Sequence, residues 1–109
     1  MRYDDALAMG ARCYALIKGC GISSDGSGGL TRPEQSGQQL AIQRAYQCAG
    51  YDINEVALFE GHGTGTLIGD NVEIGALVAE GQESSAAVLS SIKSNIGHTK
   101  AAAGAAGLI

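Results

Sequence analysis

The sequence predicts an α/β protein, on three observations. Its segments read in the order β, long loop, α, β, α, β, α. Two short apolar runs, residues 56–59 and 87–92, each end in a turn rich in glycine and histidine that leads into a helix. Glycine supplies 17 of the 109 residues against a single proline, about twice its usual ~7% share, which favours tight turns and close packing over extended linkers.

The first strand is expected at residues 14–19, an apolar run before a loop dense in turn formers, Ser23-Ser24-Asp25-Gly26-Ser27-Gly28-Gly29. Ser36 and Gln39 have capping-box spacing, so a helix is predicted from Ser36 to about Ala49, with Leu40, Ala41, Ala45 and Cys48 on its inner stripe. Gly50 is its C-terminal stop. The run at 56–59 reads as a short strand buried on both faces. Asp70 and Glu73 look like the cap and third residue of the next helix, whose apolar stripe is Ile74, Leu77 and Val78. Residues 87–92 are the third strand, in a parallel or mixed sheet. Residues 100–109 form a helix of small residues whose glycines admit another backbone at close range. It runs apolar to its last residue, so the chain is expected to be a piece of something larger.

A chain that is 45% hydrophobic and 17% charged has the material for a buried core. Its net charge is −4, and no basic residue stands between Arg44 and Lys93, whereas Asp52, Glu55, Glu60, Asp70, Glu73, Glu80 and Glu83 all do. Nucleic-acid binding needs clustered Lys and Arg, so that class is excluded. No apolar run approaches the roughly 18–20 residues of a membrane span. The N-terminus carries acids where a signal peptide carries bases. Cys13, Cys20 and Cys48 fit neither a zinc site nor a C-x-x-C pair. They read as reduced, buried thiols of a cytoplasmic protein.

The chemistry concentrates at the ends of the second and third strands. Ligands of α/β folds sit outside the carboxyl ends of strands, which brings His62 and His98 to one rim although they are distant in sequence. Thr64 and Thr66 add hydroxyls there, and Lys93 adds a charge. Taken singly, each has a plainer reading: a hydrogen-bonded structural histidine, a solvated lysine, a turn threonine bonding the local backbone. The pair of histidine turns is harder to dismiss than either alone. Two histidines without a third ligand make no zinc site. A dinucleotide reading fails on spacing, because G-x-G-x-x-G begun at Gly61 or Gly63 needs glycine where Thr66 or Ile68 stands.

At these residues the sequence resembles a known family. Glu60-Gly61-His62-Gly63-Thr64-Gly65-Thr66-Leu67-Ile68-Gly69-Asp70 and Lys93-Ser94-Asn95-Ile96-Gly97-His98-Thr99 are similar to the two histidine motifs of the β-ketoacyl synthase (ketosynthase) domains of type I polyketide synthases, in family order and spacing. The flanks at residues 21–26 and 101–107 agree. Phe59-Glu60-Gly61-His62, Leu30-Thr31-Arg32-Pro33 and the run from His98 to Gly104 resemble iterative bacterial synthases, the enediyne type especially. Asn71 departs from the family, which usually has proline there.

The resemblance implies a thiolase-type layered α/β/α fold, here truncated, acting as a dimer. Residues 1–109 would be the central-to-C-terminal part of a ketosynthase domain. The nucleophile-cysteine half and the C-terminal end would lie outside it. The implied reaction is decarboxylative Claisen condensation between an acyl group on a cysteine thiolate and a malonyl thioester on an acyl carrier protein. His62 and His98 take the two catalytic positions, Lys93 the charged position beside them, and Thr64 and Thr66 those that bind the phosphopantetheine arm. No bound cofactor and no metal are implied. The nucleophile's Ala-Cys-Ser-Ser context surrounds none of Cys13, Cys20 and Cys48, so the chain alone is expected to be inactive. Two alternatives stay open: a non-catalytic module that holds an acyl or pantetheine arm, and a ketosynthase of the fatty-acid type. A non-elongating relative would normally lack the second histidine, which is present here as His98.

Overall fold

The computed structural model describes residues 1–24, 26, 33–81 and 87–109. Five helices and two strands follow one another among them: α1 (Tyr3–Ala8), α2 (Gln35–Ala49), β1 (Leu58–Glu60), α3 (Leu67–Ala79), β2 (Val88–Ser90), α4 (Lys93–Ile96) and α5 (Ala103–Leu108). Single 3₁₀ turns at Ile53–Glu55 and Lys100–Ala102 precede β1 and α5. The predicted α/β class holds, and so does the parallel pairing: β1 and β2 run side by side with Leu58 opposite Val88, Phe59 opposite Leu89 and Glu60 opposite Ser90. A parallel pair needs a crossover, which α3 supplies, so both strands point their C-terminal ends the same way.

Helix α2 packs on α3, joined by Gln35 Nε2 to the Gly75 carbonyl at 3.1 Å and Gln43 Nε2 to Glu80 Oε1 at 2.9 Å. Gly50 ends α2 as its sequence promised, at φ 75°, its N–H donating to the Tyr46 carbonyl. The 3₁₀ turn before β1 has a complete capping box between Asp52 and Glu55.

Several expectations need correction. Residues 14–19 form no strand. A strand exists only by pairing, and among the described residues no strand lies beside this segment; Tyr14 and Ile17 are exposed. The segment after it leans on α2 instead. Arg44 donates to the Ile22 carbonyl, Ser23 Oγ to that of Gly37, and a Cβ on Gly21 would run into the Ala41 carbonyl. The loop readings at Asp25 and residues 27–32, with the resemblance at Leu30, Thr31 and Arg32, and the acid at Glu83, lie outside the described residues.

Neither predicted cap forms. Helix α2 begins one residue before Ser36, at Gln35, and its N-terminus has no side-chain cap. Helix α3 begins at Leu67 behind Thr66, which places Asp70 inside the first turn, where an acid favours the helix dipole. The inner stripes are narrower than predicted. Leu40 and Cys48 on α2, and Ile74 and Val78 on α3, are exposed; Ala76 is the fully buried residue of α3. Leu58 is 59% exposed, so β1 is not covered on both faces. Helix α1 was not anticipated. It is six residues long and is helped by Asp4 and Asp5 in its first turn and by an exposed Arg2–Asp5 ion pair.

All three cysteines are free and exposed, contrary to the buried reading. Small neighbours in sequence do not bury a thiol when the covering surface is missing. Each thiol of the native chain should therefore react with maleimide, and none should become acylated by an acyl thioester. Cys48 lies in the last turn of α2, where the dipole opposes a thiolate. Mass spectrometry checks both statements; one protected thiol, or one stoichiometric acyl adduct, contradicts them.

Candidate active site

The parallel sheet delivers two turns to one edge. After β1 the chain passes through Gly61, His62 and Gly63 into α3; after β2 it passes through Ser91 into α4 and on to His98. The His62 and His98 rings meet there edge to face, their centroids 5.2 Å apart and their planes at 87°. Both line an open cleft of about 590 Å³ together with Glu60, Lys93, Lys100 and the small residues of α5. Lys93 is the first residue of α4, beyond the strand's true end at Ser90. Three of the five residues singled out from sequence thus come together. Thr64 and Thr66 lie outside the lining of this cleft; their hydroxyls face one another at 3.5 Å at the entrance to α3.

Four devices hold the histidines. Glu73, read from sequence as part of a cap, reaches back from α3 and accepts the N–H of His62 at 2.5 Å and of Gly63 at 3.0 Å. Ser91 Oγ donates to the His62 carbonyl at 3.4 Å. Gly63 has φ 45°, and a Cβ there would stand 2.6 Å from Ser91 Cβ, so the two turns close on each other only because residue 63 is glycine. The fourth device sits on the other ring. The Lys100 N–H donates to His98 Nδ1 at 3.0 Å, which assigns the proton of the neutral imidazole to Nε2. Lys100 makes that bond at φ 57°, a left-handed conformation rare for a side-chain-bearing residue.

His98 is held below the ordinary imidazole pKa, first by desolvation, then by the charge of Lys100, the His62 ring and the charge of Lys93. The rim therefore favours a neutral ring with a defined Nε2–H donor. Two adjacent imidazoles and a lysine suit an oxygen that gains negative charge during reaction. No group of three or more potential metal ligands occurs among the described residues.

Glu73 is a residue of the site that sequence reading missed. Its spacing from Asp70 matches a cap so well that the longer bond to residues 62 and 63 went unseen. Glu73→Ala should leave the His62 turn without its two acceptors and lower turnover of the full-length polypeptide by about tenfold or more, the scale of loosening a positioned group. Glu73→Gln, which keeps one acceptor oxygen, should fall less. Equal activity of Glu73→Ala and the parent would contradict this.

Comparison with known proteins identifies the family. The family profile "Beta-ketoacyl synthase, C-terminal domain" matches residues 14–109. The chain is 48% identical to a polyunsaturated fatty acid synthase from a Thraustochytrium species, across 99% of its own length and 4% of that protein's. It is 46% identical to the pikromycin polyketide synthase component PikAIII of Streptomyces venezuelae, across 99% of this chain and 7% of that one. The ketosynthase from module 6 of the Bacillus subtilis bacillaene synthase superposes with a TM-score of 0.90 at 37% identity, covering 98% of this chain and 20% of that one. The PfaC keto synthase–chain length factor gives 0.90 at 40% identity, covering 96% and 12%. The chain thus spans a small part of each of these relatives.

Proposed function

Since this chain belongs to the β-ketoacyl synthase family and has the thiolase-type α/β fold of its ketosynthases, we propose that it supplies the histidine half of a polyketide-type condensing site. The observation that carries this reading is the edge-to-face contact of His62 and His98 at the common end of two parallel strands. The reaction is decarboxylative Claisen condensation. The malonyl thioester loses CO₂, and its electrons pass to an enolate. The enolate carbon then attacks the acyl carbonyl, forming the new C–C bond as the C–S bond to the nucleophilic cysteine breaks and the thiolate departs. Negative charge grows on the thioester oxygen in the first step, and two neutral imidazole N–H donors stabilise it there.

Lys93 acts by charge at the site's edge. Thr64 and Thr66, on the turn leading away from His62, receive the phosphopantetheine arm of an acyl carrier protein. The nucleophilic cysteine comes from a part of the domain outside these residues, so the 109-residue chain alone does not condense; the complete domain works as a homodimer in the cytoplasm. A pure arm-binding module would have no use for two imidazoles held in contact, which favours catalysis over binding alone. The full-length polypeptide, supplied with an acyl thioester and a malonyl carrier protein, should release CO₂ and form a β-ketoacyl carrier product in equal amounts. Acyl transfer with no β-keto product would overturn the reading.

A further inference from the structure

The structure assigns Glu60 a role that the histidine motifs do not explain: it is a positioning residue that sets Lys93 and the His98 arm against His62. Glu60 is the last residue of β1, in register with Ser90 on β2, so its backbone is fixed by the sheet that also leads into His62. Its side chain lines the cleft beside His62, Lys93 and His98. There Glu60 Oε1 accepts the N–H of Ile92 at 2.7 Å. Ile92 directly precedes Lys93 and stands at the N-terminus of α4, where its own side chain has no oxygen to cap the helix.

The same carboxylate abuts α5. A Cβ on Gly107 would lie 3.2 Å from Glu60 Cγ, a tight approach, and 3.4 Å from Oε1, so the glycine lets the carboxylate lie against the helix without shifting. One side chain therefore spans the strand that leads to His62, the turn that starts Lys93 and the helix that follows His98. A hydrogen bond to an ionised acceptor is among the stronger ones, and an active site depends on spacing held to about 0.5 Å. Glu60 holds that spacing through the bond to Ile92 rather than through contact with substrate.

This rests on the condensation reading, and the test separates the two. In the full-length polypeptide, CO₂ release from malonyl carrier protein is measured as kcat and KM, apart from self-acylation. Glu60→Ala should lower kcat about tenfold or more with little change in KM, because misplacement costs rate rather than binding. Glu60→Gln, whose amide oxygen still accepts from Ile92, should keep kcat within about threefold of the parent. Gly107→Ala, which asks the carboxylate to shift by a few tenths of an ångström, should lower kcat by less than Glu60→Ala does. Should Glu60→Ala fold poorly, the Gln variant still decides. A Glu60→Gln enzyme slowed about tenfold or more, or a Glu60→Ala enzyme with unchanged kcat, overturns the inference. If His62→Ala and His98→Ala retain CO₂ release, it is the condensation reading that fails instead.

Discussion

Replacing His62 or His98 with alanine in the full-length polypeptide should slow condensation by about 10²-fold or more, the scale of removing one preorganised donor from an oxyanion site. Self-acylation of the nucleophile should survive, since the proposed condensation uses both rings in the malonyl half-reaction. The two substitutions remove different things. His62→Ala takes away a ring whose backbone Glu73 and Ser91 fix; His98→Ala takes away the Nε2–H that the Lys100 amide defines. pH adds a second signature. Protonating His98 places a proton on Nδ1, where the Lys100 N–H already points. Because its pKa is lowered, the neutral ring persists to more acidic pH than an ordinary histidine allows. The acidic limb of decarboxylation due to His98 should therefore fall below about 6.5, the ordinary imidazole value. Steady-state rates of CO₂ release across pH check both points, and a limb above that value would contradict the second.

The isolated 109-residue chain should self-associate or lack a cooperative unfolding transition. Its accessible surface is 7991 Å², against roughly 5,600 Å² for a folded monomer of 11.0 kDa. Among the described residues the buried apolar set is Ala6, Ile53, Ala76 and Ala103. Three of the four are alanines, each contributing little at about 0.8 kcal/mol per buried CH₂. Ordering the backbone costs roughly 1–2 kcal/mol per residue. Ile17, Leu58, Ile68, Val88 and Leu108 remain largely exposed. Among the described residues the two-stranded sheet has an unpaired edge on each side, and such edges recruit other chains. Size-exclusion chromatography with denaturant unfolding measures this. A monodisperse monomer that unfolds cooperatively with more than about 5 kcal/mol would show a self-sufficient domain.

The site was more legible in the sequence than the fold around it. His62 and His98 could be placed together because a glycine-rich turn after an apolar run marks a strand's carboxyl end, and a parallel pair brings two such ends to one edge. The α2 stop at Gly50 was legible for a similar reason: a left-handed residue after a helix is a local event. The strand expected at residues 14–19 was not, because an apolar run says nothing of whether a partner strand lies beside it. The burial of Cys48, Leu40 and Val78 failed for the same cause, since helical periodicity marks a face and not what covers it. Glu73 and Glu60 were misread or passed over because their partners, at residues 62, 63 and 92, are backbone amides brought near only by the fold. Thr64 and Thr66 were matched to arm binding by resemblance; their place beside α3 rather than in the histidine cleft leaves that role to be tested by carrier-protein affinity.

The most direct test of a shared role for the two imidazoles is CO₂ release from malonyl carrier protein by His62→Ala, His98→Ala and the double variant of the full-length polypeptide, measured together. Groups that act as a unit are strongly non-additive. The double variant should therefore be about as slow as either single one, each about 10²-fold or more below the parent. CO₂ release by the double variant at the parent's rate would contradict the account.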